Sequence, residues 1–405
     1  MAKLKRTLSL FEVTVCGIGI ILGAGIYTLI GIATNTAGNA VWMSFLFSAI
    51  IAMLTGLSYA ELSSMFPRDG AEYEYTKHFF GRKLAFVVGL MIFISGIVSS
   101  ATVALGFGGY LKALIGTPVI VIALMLILLC AWVNYHGIDE SVKLNILFTG
   151  IEALGLLIIL ALGFKNIGSV NYFEMPNGFI GVLRASALIF FAYMGFEALV
   201  TLTEETKNAP RTIAKAIIFS VIITSIIYVL VAITAVSTLD WKVLGSSSAP
   251  MADVAAASMG NLAFLILGII ALFSTANTVL IQCITSSRLM YGMACDKALP
   301  AVLKKVSCSR KTPVIAIGAV AVLTALFVLP KNIELVANIT TLFLFLTFAT
   351  INTTVVILRY KEPQVKRPFK IPLNIGKFQV LAFCGALSSL FLLYFSLTNI
   401  ISIVG

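Results

Sequence analysis

The chain has 405 residues, of which 60% are hydrophobic and only 11% are charged. A soluble protein carries about 25% charged residues, so this composition excludes an ordinary soluble domain and indicates an integral membrane protein. The net charge of +11 suits either a nucleic-acid or a membrane partner. The six cysteines form no Cys-x-x-Cys pair, and neither a metal site nor a disulfide framework is predicted.

Apolar segments of about 20 residues, the length that crosses a bilayer, recur along the whole chain. We predict eleven spans, at residues 11–35, 41–65, 84–111, 118–136, 145–164, 182–203, 213–237, 259–292, 313–330, 336–358 and 378–403. The first apolar run follows three basic residues but lacks a convincing small-residue cleavage site. It is therefore predicted to be a retained span rather than a signal peptide.

Lysine and arginine fall mainly on one side of this topology. Of the 28, 23 lie in segments on the side of the N-terminus, and the other side holds Lys112, Lys165, Arg184, Lys242 and Lys331. The positive-inside rule predicts a cytoplasmic N-terminus and, with an odd number of spans, an external C-terminus. Because topology explains the positive charge, the expected partner is the lipid bilayer of the cytoplasmic membrane, and no nucleic acid is expected.

The first span contains four glycines within nine residues, Gly17, Gly19, Gly23 and Gly25. A glycine inside a helix costs about 1 kcal/mol relative to alanine, so a continuous helix is disfavoured here. One interpretation is a membrane helix broken at residues 23–25, with backbone groups that line a cavity and bind a ligand. The other is a face of small residues on which a second helix packs closely.

An internal repeat favours the break. Gly195, in span 6, lies about 171 residues after the glycines of span 1, and spans 2 and 3 precede spans 7 and 8 by similar distances. Five spans separate the copies, so the second copy is inverted in the membrane. Inverted repeats with interrupted helices in corresponding positions indicate the binding site of a transporter. At 1.5 Å per residue, both breaks lie roughly 18 Å into their spans, from opposite sides.

Several stretches resemble motifs of the amino acid–polyamine–organocation transporters. They are Gly-Ala-Gly-Ile at 23–26, Phe-Ala-Tyr-Met-Gly-Phe-Glu at 191–197, the turn at 204–211, and residues 67–75, 287–294 and 359–372. The resemblance covers essentially the whole chain. It implies the leucine-transporter arrangement of two inverted five-helix repeats with discontinuous helices 1 and 6. The family usually adds two peripheral spans, whereas one, span 11, is predicted here.

The predicted domains follow from this arrangement. They are the first repeat at residues 1–180, the second at 181–360, and a cytoplasmic loop with peripheral span 11 at 361–405. The fold class is thus an all-α membrane protein with about eleven spans.

The resemblance implies that an amino acid binds at the two breaks. Its carboxylate suits the free amides and positive dipole end of the half-helix after the first break, which belong to Ala24, Gly25 and Ile26. Its ammonium needs exposed carbonyls on the other sides of the breaks. The matching positions are Ile21, Phe191 and Met194.

The same resemblance assigns the remaining residues of the pocket. Gly23 and Gly195 form the breaks themselves. Phe191, Tyr193 and Phe196 would shape the side-chain pocket and gate it. For aromatic residues alone, ordinary packing in the core or against lipid is the simpler interpretation, but their position beside a matched break favours the pocket.

Two carboxylates lie well inside spans, Glu152 in span 5 and Glu197 in span 6. An ionisable residue at the bilayer centre costs about 2.5–3.5 kcal/mol on insertion scales. The presence of each carboxylate therefore needs a structural or functional explanation. Glu197 follows the second break, where it either bonds backbone freed by the unwinding or contacts the substrate. Both roles remain open at this point.

By the resemblance, Glu152 falls where several proton-coupled relatives carry a buried lysine. Because its charge has the opposite sign, the lysine mechanism does not transfer directly. A buried carboxyl can take up and release a proton during a transport cycle, and it can equally bind sodium. Span 8 offers Ser274, Thr275 and Asn277 as oxygen-bearing neighbours for an ion. Hydroxyls in membrane helices also commonly bond their own backbone. We predict proton coupling, with sodium as the alternative.

These features predict a secondary carrier of amino acids or related amines that works by alternating access. Spans 1, 2, 6 and 7 would rock against spans 3, 4, 5, 8, 9 and 10. No phosphate loop, zinc-ligand spacing or nucleophile elbow is present, so no enzymatic activity, cofactor or metal is predicted. The alternatives are a non-transporting amino acid receptor of the same fold, an ion channel, and a sodium-coupled symporter or exchanger. The sequence leaves the amino acid and the oligomeric state open.

Overall fold

The computed structural model describes residues 8–66, 71–136, 142–307, 310 and 312–404. These residues form helices almost throughout. The α-helices are α1 Leu10–Leu22, α2 Ala24–Ala37, α3 Val41–Met65, α4 Ala71–Phe80, α5 Arg82–Ile115, α6 Val119–His136, α7 Val142–Gly163, α8 Gly178–Ile189, α9 Ala209–Thr238, α10 Trp241–Ser246, α11 Pro250–Met259, α12 Asn261–Cys295, α13 Val314–Val328, α14 Ile333–Lys361 and α15 Val380–Val404. Short 3₁₀ segments cover Gly38–Ala40, Phe164–Asn166, Phe190–Tyr193, Phe196–Glu205 and Ala301–Lys304.

Within these ranges, nine helical stretches are long and apolar enough to cross a membrane. The first, Leu10–Met65, has 56 residues and holds two predicted spans, divided by the 3₁₀ turn at Gly38–Ala40. A further apolar helix, α13, has 15 residues and corresponds to the predicted span at 313–330. Divided in this way, the helices match the eleven predicted spans, and the all-α membrane fold is confirmed.

Both predicted helix breaks are present. Span 1 is divided at Gly23, where φ is −2° and ψ is −161° between α1 and α2. Span 6 runs as α8, a 3₁₀ turn at Phe190–Tyr193, and a second 3₁₀ segment at Phe196–Glu205. Gly195 lies between the two 3₁₀ segments with φ of +121°, a conformation that favours glycine. Discontinuous helices 1 and 6 are therefore confirmed.

The other interpretation of the glycine stretch holds for its earlier residues. Gly17 lies against Ser220 of α9, and Gly19 lies against Thr149 of α7. Small residues at such positions let helix backbones approach closely. The stretch thus combines a packing face in α1 with a break at its end.

The elements that the sequence did not indicate lie outside the spans. They are the short helices α4, α10 and α11 and an antiparallel pair of strands, β1 Asn374–Ile375 and β2 Phe378–Gln379. The hairpin turn contains Gly376, whose φ is +62°. The domain boundaries at residues 180 and 360 stay a prediction.

A buried ion pair joins the ends of α3 and α14. Glu61 is 0% exposed, and its two carboxylate oxygens accept bonds from Nε and Nη2 of Arg359 at 2.9 and 2.6 Å. Arg367 Nε lies 3.3 Å from the same carboxylate, and the Ile371 amide donates to it at 2.9 Å. Glu61 therefore binds the segment between α14 and β1 to the end of α3.

Candidate functional site

The structure brings the two predicted breaks into direct contact. A Cβ atom placed on Gly25 would lie 2.5 Å from the Cα of Ala192. A Cβ atom on Gly195 would lie 2.6 Å from Ile20 Cγ2 and 3.0 Å from the Ile20 carbonyl oxygen. These separations are too short for a side chain. Gly25 of span 1 therefore packs directly on the unwound part of span 6, and Gly195 of span 6 packs directly on the end of α1.

Tyr228 of α9 connects the two breaks. Its hydroxyl lies 2.7 Å from the carbonyl oxygen of Ile21 and 3.1 Å from that of Ala192. A phenol carries one proton, so it donates to one of these carbonyls at a time. Its ring packs at 5.3 Å from that of Tyr193, whose own hydroxyl donates to the Phe45 carbonyl at 3.0 Å.

Tyr228 was not among the predicted site residues. The available signal was a phenol inside an apolar span, which requires a hydrogen-bond partner when it is buried. The sequence does not identify the partner, because the two carbonyls lie on other spans.

The amides predicted to bind a carboxylate begin α2. The Ala24 amide donates to the hydroxyl of Thr278 on α12 at 3.2 Å. Thr278 was likewise not among the predicted site residues. Gly25 and Ile26 follow in the first helical turn, whose amides have no acceptor within the helix. The residue before the helix, Gly23, has no side chain that could cap these amides. The Gly25 and Ile26 amides thus have no hydrogen-bond acceptor among the described residues.

The predicted carbonyl acceptors have different surroundings. The Ile21 carbonyl is one of the two acceptors within reach of the Tyr228 hydroxyl, and the Phe191 carbonyl accepts from the Met194 amide at 3.2 Å. Phe191 and Phe196 are buried, at 5% and 0% exposure. The Phe196 ring packs against those of Tyr59 and Phe348.

A cavity of about 220 Å³ lies beside the second break. The break contributes Met194, Gly195 and Glu197 to its wall, but the three aromatic residues predicted to shape the pocket do not line it. The Gly195 amide donates to Glu197 Oε2 at 2.9 Å, a bond to backbone at the unwound turn. The cavity reaches Glu72 of α4.

Glu72 accepts a hydrogen bond from the Tyr59 hydroxyl at 2.9 Å. Burial raises the pKa of the Glu72 carboxyl, and hydrogen bonds to this carboxyl offset part of the rise. The cavity therefore carries two carboxyl groups, one from the second break and one from α4, on the side predicted to be cytoplasmic.

The predicted ion-coupling residues divide into two groups. Glu152, 3% exposed on α7, lies close to Ser274 and Asn277 of α12. The buried Ser274 hydroxyl makes no hydrogen bond of good geometry among the described residues. Thr275 instead donates to the Ala271 carbonyl of its own helix at 2.7 Å. The backbone carbonyl of Glu152 accepts from the Tyr27 hydroxyl at 3.0 Å, which joins α7 to the half-helix after the first break.

Known proteins are similar to this chain over most of its length. The branched-chain amino acid permease BcaP of Bacillus subtilis (strain 168) is 29% identical over 392 residues, 91% of this chain and 84% of that protein. The methylthioribose transporter of the same organism is 29% identical over 395 residues, 91% of this chain and 85% of that protein. Human cationic amino acid transporter 4 is 30% identical over 388 residues, which cover 89% of this chain but only 61% of that protein.

The sequence profile of the family described as Amino acid permease matches residues 8–403. The match confirms the resemblance to the amino acid–polyamine–organocation transporters found in the motifs. These relatives are transporters and permeases rather than enzymes, and the apolar helices agree with a multi-pass membrane protein. The chain belongs to the amino acid permease family.

Proposed function

We propose that this protein carries an amino acid across the cytoplasmic membrane by alternating access, with the substrate held at the paired breaks. The observation that supports this most is the contact of each break with the other, bridged by Tyr228. Tyr228 lies on span 7, so this contact joins three of the four spans that are proposed to move together. The N-terminus is proposed to be cytoplasmic and the C-terminus external.

In this proposal the substrate carboxylate binds the amides of Gly25 and Ile26 at the positive end of α2. Its ammonium binds the carbonyls at the ends of α1 and the first 3₁₀ turn of span 6, including Ile21. Relatives named for branched-chain and for cationic amino acids share a substrate α-carboxylate and α-ammonium. The breaks supply groups that suit this shared part.

Binding can be tested on the purified protein by thermal shift across the twenty amino acids. Methylthioribose belongs in the panel, since one relative is named for it. We expect at least one amino acid to raise the melting temperature, and its N-acetyl and methyl-ester derivatives to have no effect. A shift by methylthioribose alone would contradict the assignment to amino acids.

We also propose that Glu152 couples transport to a proton gradient. Its burial beside Ser274 and Asn277, with no basic partner in an ion pair among the described residues, supports this role. Sodium is the alternative ion, because hydroxyl and amide oxygens next to a carboxylate also suit a hard cation.

Glu152→Gln is expected to fold but to lose accumulation driven by a proton gradient, because an amide cannot take up and release the proton. Exchange of internal for external substrate should continue. The measurement is uptake into proteoliposomes under an imposed gradient, with Ser274→Ala in parallel. Sodium-driven accumulation by the wild type would indicate the other ion, and unchanged accumulation by Glu152→Gln would remove this residue from coupling.

Tyr228→Phe is expected to weaken the link between the breaks. A hydrogen bond contributes about 0.5–1.5 kcal/mol, so transport at limiting substrate should fall roughly 2- to 13-fold. Tyr394→Phe is the control, because this tyrosine is 61% exposed on peripheral α15. Equal uptake by the two variants would show that the bridge has no part in transport.

A further inference from the structure

A second cavity, of about 580 Å³, lies at the end of the helices predicted to face outside. This volume falls within the range of small-molecule sites, about 300–1,000 Å³. Its wall comes from α2, α5, the first turn of α6, the turn after α10 and the start of α14. It is separate from the cavity beside the second break, with which it shares no lining residue.

The wall is largely aliphatic, with Ile32, Leu105 and Ile120 among its residues. Val121, also in the wall, is 50% exposed on α6. Farther along the same helix, Leu128 and Trp132 are 66% and 60% exposed, so α6 presents an apolar surface to the bilayer. The cavity therefore adjoins the lipid, so that an acyl chain can enter it from the bilayer.

Two lysine side chains contribute positive charge to the wall of this cavity. Lys112, in the last turn of α5, and Lys331, just before α14, both line it. They are two of the five basic residues on the predicted outer face. Neither side chain makes a hydrogen bond or an ion pair in the part of the chain that the structure describes. Lysines at span ends lie at head-group depth, where they attract anionic lipids.

We propose that this cavity is a binding site for an anionic phospholipid of the membrane. One acyl chain fills the aliphatic part, and the phosphate head group lies between Lys112 and Lys331. The site reaches Thr28, whose hydroxyl donates to the Ala24 carbonyl at 2.9 Å. Gly106 of α5 packs directly on Thr28. A lipid here therefore contacts the half-helix that begins at the first break and supports its packing on α5.

The test is thermal stability of the purified protein in a neutral detergent, titrated with phosphatidylglycerol or with phosphatidylcholine. We expect phosphatidylglycerol to raise the melting temperature more. In Lys112→Ala/Lys331→Ala its apparent affinity should fall roughly 30-fold, since two surface cations are lost. The control is Lys165→Ala/Lys242→Ala, which removes the same charge from the same predicted face and should respond like the wild type.

Two further arms separate the acyl chain from the head group. Ile120→Trp fills the cavity without a change of charge and should also lose the response. Inorganic phosphate should give no shift at matched concentration. A full response to phosphate alone, or an equal loss of response in both lysine pairs, would overturn the proposal. If Ile120→Trp does not fold, the two lysine pairs still decide the matter.

Discussion

Gly25→Leu is expected to abolish transport while the protein still inserts in the membrane. A Cβ atom at this position would lie 2.5 Å from the Ala192 Cα and 2.9 Å from its Cβ. Backbone cannot yield as the end of a flexible side chain can, so the two breaks must separate. A displacement of about 1 Å in a binding geometry can cost about 100-fold in rate. Uptake at limiting substrate should fall by at least this order.

The matched control is Gly318→Leu, the same change at a glycine of α13 with nothing within 4 Å of its added Cβ. Both variants should reach the membrane in similar amounts, as measured by surface yield and by size-exclusion profile. Gly318→Leu should transport normally. Normal uptake by Gly25→Leu would indicate that the glycine stretch serves helix packing alone.

Glu61→Ala is expected to destabilise the protein by about 3–5 kcal/mol, the cost of leaving one partner of a buried ion pair unpaired. Arg359 would then be left in a site where its side chain is 7% exposed. The Ile371 amide would lose its acceptor as well. The measurement is the melting temperature and the fraction of monodisperse protein after extraction, with Glu61→Gln as the milder variant.

A matched ion pair is available at the surface. Lys77 and Asp296 are 2.7 Å apart, with side chains 29% and 41% exposed, and exposed pairs contribute about 0–1 kcal/mol. Asp296→Ala should therefore have a small effect. The double change Glu61→Leu/Arg359→Met should recover much of the loss, since apolar replacement of a buried pair is often neutral. Equal stability of Glu61→Ala and Asp296→Ala would contradict this account.

The breaks were predictable because glycines interrupt apolar segments that would otherwise form continuous helices. Four glycines in an apolar run cannot be explained by a continuous helix, and the inverted position of Gly195 repeats the conflict. Such a signal is local and needs no knowledge of packing. The structure adds that Gly17 and Gly19 serve packing while Gly23 forms the break, a distinction that depends on which helices are neighbours.

Tyr228 and Thr278 were not predictable for the opposite reason. Each is an ordinary polar residue in an apolar span, and its partner lies about 200 residues or more away, at Ile21 and Ala24 respectively. Nothing in their own spans marks them. Their importance comes from the register of three helices around the breaks, which only the folded chain defines.

The basic residues near the end of α14 illustrate a different difficulty. Arg359 and Arg367 contributed to the charge bias that predicts topology, and that bias gives no reason to expect burial. In the structure Arg359 is 6% exposed and both arginines lie at the Glu61 carboxylate. Charge counts place a segment on one side of the membrane, but they do not distinguish a solvated cation from one half of a buried pair.

The most direct test of the central claim is uptake of an amino acid panel into proteoliposomes, with a proton gradient, a sodium gradient or neither. We expect saturable uptake of at least one amino acid, with accumulation above equilibrium when a gradient is imposed, and loss of both in Gly25→Leu. Binding without flux would indicate a receptor, and flux that does not saturate would indicate a channel. Either result, or failure of every amino acid and related amine to be transported, would contradict the proposed carrier.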